Sequence, residues 1–436
     1  MSRVVVVGGG FGGLASALRL AKLGHDVTIV DQHDLGGALL PVRGDEGFVW
    51  DTVSHTLLPA VVRDLFRKTG RPLEKELELV QLDCLREHWF ADGSSLVLPT
   101  GRSAQHDAFE SLGQGLGRAW VDHVASFADD WDVIRRGYAE VPWDPEQLPR
   151  DLASRLDSRE TLARRLRGRF RDVRPRLVAG QAFTMDGHAL RDVPAWAGLS
   201  AYLEQRFGAW AVTGGAGALL GSLVRRLDTR HVAVVRARVR DVVLRQGRAA
   251  GLRTSEGDLD ADVVVCAVDP RSLPALAPLV RRTSPAIPPA ASYVGLVGDV
   301  PDVPHELVVH GETTLVVRTL GSAPPGGHAW TVLSRGRRDE DPLTALARHG
   351  LDVREQVVAR VDLSPRELVE RWGGTPLGVS WRGRRTVRER LGPRTPVPGV
   401  YAAGAHATPG SGLPYVGLSA ALVAEVVGRA ERRPTG

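Results

Sequence analysis

Four valines, Val4 to Val7, run into Gly8-Gly-Gly10-Phe11-Gly-Gly13; an Ala/Leu-rich stretch from Leu14 to Leu23 follows, and Val27-Thr-Ile-Val30 leads to Asp31. This is the order of a buried strand, a glycine turn, a helix and a second parallel strand ending in an acid. Gly8 permits the tight turn, Gly10 lets backbone approach a pyrophosphate, and Gly13 lets helix and strand pack closely. The helix N-terminus offers free N–H groups to the phosphate. Asp31, 18 residues beyond Gly13, is placed to accept hydrogen bonds from a ribose 2′-OH. A glycine motif alone is common, but with both strands, the helix and the acid in place it predicts a dinucleotide site. Taken alone, it suits a nicotinamide nucleotide as well as a flavin nucleotide.

The next residues depart from a nicotinamide domain. Instead of a third βα repeat there is a glycine pair, Gly36-Gly37, then Ala38, then a short hairpin-like segment from Gly47 to Pro59. The glycine pair lets backbone approach a bulky ligand, or forms a simple turn. From Pro59 to about Tyr202 the pattern is helical. Leu152, Leu156, Leu162, Leu166 and Phe170 recur at near-helical spacing among eight arginines between Arg150 and Arg171. Such a basic amphipathic helix either lies peripherally on anionic lipid or turns a solvated face outward over a packed core.

Regular alternation returns at Gly208. Gly214-Gly215-Ala-Gly217 opens a helix from Leu219 to Leu227, and strand-like runs at 231–235, 239–244, 249–254 and 260–269 follow. Further strands are expected at 293–297, 306–310, 314–319 and 329–334, and helix from Pro342 to Trp372. The last block, Val400 to Gly417, is a strand ending at Gly404, a glycine-rich loop and a helix beginning near Val416. That helix N-terminus suits a flavin pyrimidine ring, which gains negative charge on reduction. The fold expected is α/β: a discontinuous Rossmann-like nucleotide domain from 1–60, 205–290 and 385–436, with an inserted α+β substrate domain from 61–204 and 291–384.

Composition excludes several other classes. The chain of 436 residues is 43% hydrophobic and 25% charged, an ordinary globular balance. Its formal charge of +5 is carried by arginine, since Lys22, Lys68 and Lys75 are the only lysines. No nucleic-acid module accompanies that charge, so no nucleic-acid partner is expected. Cys84 and Cys266 lie far apart with no CxxC, which argues against a disulfide-type flavin reductase and against a zinc ribbon; no metal site is expected. With no signal-like start and no apolar run of about 18 residues, a cytoplasmic protein is the expectation, with peripheral membrane attachment as its variant.

The blocks Gly8 to Gly37, Gly214 to Asp269 and Gly399 to Gly428 together resemble the phytoene desaturase-like branch of the flavin-containing amine oxidase superfamily. The resemblance covers nearly the whole chain in order. It implies FAD in a fold of the glutathione-reductase or p-hydroxybenzoate-hydroxylase type, with FAD extended under a separate substrate domain. It implies that Gly8, Gly10, Phe11 and Gly13 hold the pyrophosphate and Asp31 the adenosine ribose. Val239 matches the position whose backbone meets adenine, Gly404, Ala405 and Val416 match the C-terminal flavin contacts, and Ser54 to Thr56 approach the isoalloxazine. Gly37 and Ala38 follow the same pattern, with Ala38 where amine oxidases usually carry an arginine. Ala407-Thr408-Pro-Gly410 stands where carotenoid desaturases tend to read Thr-His-Pro-Gly.

A bound flavin accepts hydride, so the protein must place a C–H or N–H bond over the ring, manage a proton and exclude water. His55 is the first catalytic candidate, delivered near the isoalloxazine by the preceding strand; the competing role is a hydrogen bond to flavin or backbone. His406, in the C-terminal loop, is expected to contact ribityl or phosphate oxygen. Trp381 and Arg382 are expected on the flavin's substrate face, with a core tryptophan beside an exposed arginine as the competing account. Tyr415, next to Pro414, packs at the ring edge in this reading. The function implied is desaturation or isomerisation of C–C bonds in an elongated apolar, polyene-like substrate. An amine or amino-acid oxidase and a non-catalytic flavin-binding partner are the alternatives.

Overall fold

The structure, a computed structural model, describes residues 2–53, 55–336 and 340–430. Ser54 lies outside the described residues. Because Val4 to Val7 are apolar on both faces, the first strand (Arg3–Val7) can only sit inside a sheet covered on both sides. It pairs in parallel with Asp26–Asp31 on one side and with Val263–Cys266 on the other. Ala233–Arg236 and Val400–Ala402 complete a five-stranded, all-parallel sheet, so five segments spread over 400 residues of chain build one layer. The glycine-loop helix (Phe11–Lys22) lies on this sheet and is clamped by the C-terminal helix (Leu413–Val427), where Leu14, Leu18, Ala420 and Val423 share one core. A three-stranded antiparallel meander, Val239–Arg245, Arg248–Thr254 and Gly257–Asp260, covers the other face through Val242 and Leu252. This is a Rossmann-type layer of the kind the N-terminal motif requires.

A second, seven-stranded mixed sheet runs Val357–Leu363, Ala290–Val297, Gly327–Arg335, Thr314–Arg318, Glu306–Val309, Cys84–Trp89, Ser95–Pro99. Two of its strands correct the sequence reading, which made 59–202 helical throughout. In Cys84–Trp89 the inward residues include Arg86 and His88, so the buried face does not read as apolar alternation. A third correction is Val357–Leu363, a strand inside the stretch expected to be helix; it falls between the helices Pro342–Arg348 and Pro365–Trp372. The hairpin Val42–Arg43/Val49–Trp50 is pinned to this sheet by the buried Trp50, whose Nε1–H donates to the Val294 carbonyl at 3.0 Å. That anchor fixes where the following segment, 51–57, emerges.

Helices between Arg102 and Phe207 form the third part, around Phe109, Trp120, Phe127 and Phe170, with Phe109 and Trp120 stacked at 4.1 Å. The Arg-rich segment is not one helix. It breaks into Arg150–Leu156 and Leu162–Arg169 before Val173–Met185 begins, because Thr161 and Asp172 cap the second and third helices, accepting from the Arg164 and Arg174 N–H groups. Its five apolar residues are all buried in the helical core, while Arg164, Arg167 and Arg169 face out. Among the described residues, no helix is long and apolar enough to cross a membrane.

Candidate functional site

One cavity of about 1040 Å³ runs between the parallel sheet, the mixed sheet and the helices. Its nucleotide side is built from backbone. Gly8, at φ +98°, turns the chain where a Cβ would stand 2.5 Å from Val268 Cγ1. A Cβ on Gly13 would come within 1.8 Å of the Gly8 carbonyl oxygen, so this glycine brings helix and loop into contact and does not itself line the cavity. At Gly10 a Cβ would meet nothing within 4 Å: the backbone there faces open cavity. The helix that follows has no side-chain cap, leaving its first N–H groups for a ligand anion.

Asp31 takes the Gly9 N–H at 2.6 Å and the His33 N–H at 2.8 Å, so its carboxylate shapes the glycine loop as well as facing the cavity. Gly36 N–H donates to the Gly9 carbonyl at 2.8 Å, which locks the glycine pair against the first loop. Gly37, Ala38 and Val239 line the same wall, as does Phe11. Opposite, Gly404, Ala405, His406 and Val416 line the cavity, and the C-terminal helix again starts without a side-chain cap. That helix starts at Leu413, three residues before Val416. Pro414 lies in its first turn, buried outside the cavity wall, and has no N–H to offer. His406 is buried, and its imidazole is held below its ordinary pKa by burial, against the pull of Asp269, whose carboxylate is 3.9 Å away. These features fit FAD: an open glycine cradle, two uncapped helix N-termini, and an acid at the second strand's end.

The substrate side is built from side chains. Trp381 lines the cavity between Trp196, edge-on at 5.6 Å, and the Arg390 guanidinium, 4.9 Å from its ring. Arg382 is exposed and stands outside the cavity wall; its backbone N–H donates to Thr386 Oγ1 at 2.8 Å. Tyr138 and Tyr415 add to the same wall, with Tyr138 Oη–H donating to the Pro409 carbonyl at 3.0 Å. Burial raises the pKa of both phenols, so both stay neutral.

His55 enters the cavity beside a charged network absent from the sequence reading. Arg86 binds Glu204 at 2.5 Å and Glu306 at 3.1 Å; Arg318 binds the other Glu306 oxygen at 2.9 Å and donates to the Thr52 carbonyl at 3.2 Å. Burial alone would raise the Glu306 carboxyl, but Arg318, His55 and Arg86 hold it well below the carboxylate range. Burial pulls His55 down to about 4, opposed by Glu306 and assisted by Arg86. A neutral imidazole of that basicity orients a neighbour better than it takes up a proton at neutral pH. Arg86, Glu306 and Arg318 lie on three strands and more than 200 residues separate Arg86 from the other two, so no local spacing announces them.

A family model described as flavin containing amine oxidoreductase matches residues 11–428. Among curated relatives, the hydroxyneurosporene desaturase of Cereibacter sphaeroides is 29% identical, covering 98% of this chain and 97% of the relative. The zeta-carotene-forming phytoene desaturase of Myxococcus xanthus is 28% identical over 97% of this chain and 93% of its own, and the phytoene dehydrogenase of Streptomyces griseus 28% over 98% and 95%. A solved putrescine oxidase has the same fold, with a TM-score of 0.69 at 16% identity and 98% of each chain covered. A Methanosarcina mazei oxidoreductase gives 0.62 at 16%, over 97% of this chain and all of the other. With a family match that spans nearly the whole sequence and a cavity that fits FAD, the chain belongs to the flavin-containing amine oxidoreductases, in their phytoene desaturase-like branch, and is an FAD-dependent oxidoreductase.

Proposed function

We propose that the protein desaturates C–C bonds of an elongated apolar polyene. One observation carries this reading: the nucleotide loops and a chamber walled by Trp196, Trp381, Tyr138, Tyr415 and Leu199 are a single continuous cavity. FAD, when bound, supplies a two-electron acceptor able to take hydride from carbon. The glycine loop around Gly10 and the N–H groups at the start of Phe11–Lys22 would hold its pyrophosphate, Asp31 its ribose, and Gly404, Ala405, His406 and Val416 its flavin end. Trp381, fixed between Trp196 and Arg390, presents a rigid apolar face against which a polyene can lie and from which water is excluded. Arg86, Glu204, Glu306 and Arg318 neutralise one another, so the wall beside His55 carries no net charge to repel an apolar chain.

The test is anaerobic: FAD-loaded protein is mixed with a hydrocarbon polyene in detergent and the flavin absorbance followed. Bleaching, with a product of longer conjugation, is expected. No bleaching by any polyene, together with bleaching by amines, would overturn the reading in favour of an amine oxidase. Supply of so apolar a substrate from a lipid surface is part of the same proposal. It predicts that flotation with anionic vesicles weakens when Arg164 and Arg167 are both changed to Glu, by about 1 kcal/mol per arginine.

A further inference from the structure

Removing two hydrogens from adjacent carbons sends one off as hydride and the other as a proton, and the proton needs an acceptor in the chamber. Among the described residues five carboxylates line the cavity: Asp31, Asp186, Glu204, Asp269 and Glu306. Asp31 is held by two backbone N–H groups, Glu204 by Arg86, Glu306 by Arg86 and Arg318, and Asp269 by Arg271 at 2.7 Å. Asp186 differs. Among the described residues no hydrogen bond or ion pair engages its carboxylate, which opens into the cavity at the C-terminal end of helix Val173–Met185. Its chain position is fixed all the same: its N–H donates to the Ala182 carbonyl at 3.0 Å, and Arg335 Nε–H binds the adjoining Met185 carbonyl at 2.8 Å.

We infer that Asp186 is the general base of the reaction, accepting the proton released as the second C–H bond breaks and its electron pair closes the new C=C bond. The hydride from the neighbouring carbon carries two electrons to FAD, so carbon is oxidised, flavin reduced and the proton retained on the Asp186 carboxylate. The inference rests on the polyene reading above. Location supports it: Arg318, whose charge acts on Asp186, also binds the Thr52 carbonyl, at the start of the segment that carries His55. Basicity supports it too. Burial pushes the Asp186 carboxyl up to about 6, and only the charges of Arg318 and Arg335, on the two strands opposite, restrain the rise. That leaves it ionised at neutral pH yet far more basic than a solvated carboxylate, as a general base should be. His188, two residues on, is pulled down to about 4 by burial, with Arg390 and Arg335 adding, and its Nδ1 faces the Trp381 N–H at 3.4 Å.

The experiment compares wild type, Asp186→Asn and Asp186→Glu as FAD-loaded proteins, with flavin content and melting temperature confirming the fold. Asp186→Asn should slow polyene-driven flavin reduction by about 100-fold or more, and Asp186→Glu should recover part of it. In wild type the rate should fall as pH drops below about 6, a limb that Asp186→Asn lacks. Independently of turnover, infrared titration should show a carboxyl that ionises near pH 6 in wild type and is missing from Asp186→Asn. A folded Asp186→Asn protein that keeps its rate within threefold, or an infrared spectrum unchanged by the substitution, overturns the inference while leaving the polyene reading standing. Wild-type flavin that amines bleach and polyenes do not would overturn both.

Discussion

The two walls of the cavity are made of different material. On the nucleotide side, Gly8, Gly10, Gly36 and Gly404 bring main chain and helix ends to the ligand, and Gly13 packs the helix against the loop behind them. On the substrate side, Arg86, Glu306 and Arg318 reach in from three strands of the mixed sheet, Asp186 from the end of a helix and Trp381 from a loop. A wall of main chain tolerates no added atoms where it packs on itself, as at Gly8 and Gly13, but depends little on side-chain identity elsewhere. A wall of paired side chains depends on partners that must be present together.

Gly13→Val should break the first wall outright. Its Cβ would stand 1.8 Å from the Gly8 carbonyl, against backbone that has nowhere to move, and a loss above about 4 kcal/mol is expected, read as failure to recover FAD-loaded protein. Arg86→Met tests the second wall: it removes the guanidinium that binds Glu204 and one oxygen of Glu306, at a cost of about 3–5 kcal/mol in denaturant unfolding. Adding Glu204→Gln to Arg86→Met should return part of that loss; if it returns none, the pairing account is wrong.

The contrast also explains what could be read from the sequence. The glycine loop, the second strand's acid and the C-terminal loop are local, each within about twenty residues, and their physics is that of backbone geometry. Arg86 and His88 sit at inward positions of a strand where alternation should show apolar residues, so the strand itself escaped notice. The Arg150–Arg171 segment misled in the opposite way: leucine periodicity carried across a break that Thr161 signals as a cap, with a second cap, Asp172, just beyond it. Asp186 follows a helix whose composition marks no face, and its lack of a partner is visible only once five carboxylates are compared in three dimensions.

Smaller effects sharpen the comparison. Asp186 has a folded-state pKa raised from 3.8 to about 6, so the native state binds more protons between those values, and its favourable contribution fades as pH rises through about 6. Asp186→Asn should therefore be more stable than wild type at pH 7, by up to about 3 kcal/mol, with the gain disappearing below pH 4. His55 has the opposite sign. Its pKa falls from 6.5 to about 4, so it withdraws stability as pH drops through that window. A stabilised but slow Asp186→Asn protein would show that the chamber keeps a destabilising group for its chemistry. Smallest of all, Asp31→Ala removes the acceptor of two N–H bonds from the backbone-built wall and should cost about 1 kcal/mol with a several-fold weaker hold on FAD, measured by fluorescence titration of apoprotein.

The parallel sheet has a consequence in time as well as space. Its order places Arg3–Val7 between strands that end at Asp31 and begin at Val263, and the edge strand Val400–Ala402 is made long after both Arg3–Val7 and Asp26–Asp31. Cys84–Trp89 likewise waits for Glu306–Val309 before it has a partner on that side. A growing chain therefore carries an unpaired glycine loop and an open sheet edge for most of its translation, the condition under which chaperone binding or aggregation competes with folding. The cavity's far wall is therefore incomplete until Val400–Ala402 and the helix Leu413–Val427 have been made, so capture of FAD has to follow the docking of that segment.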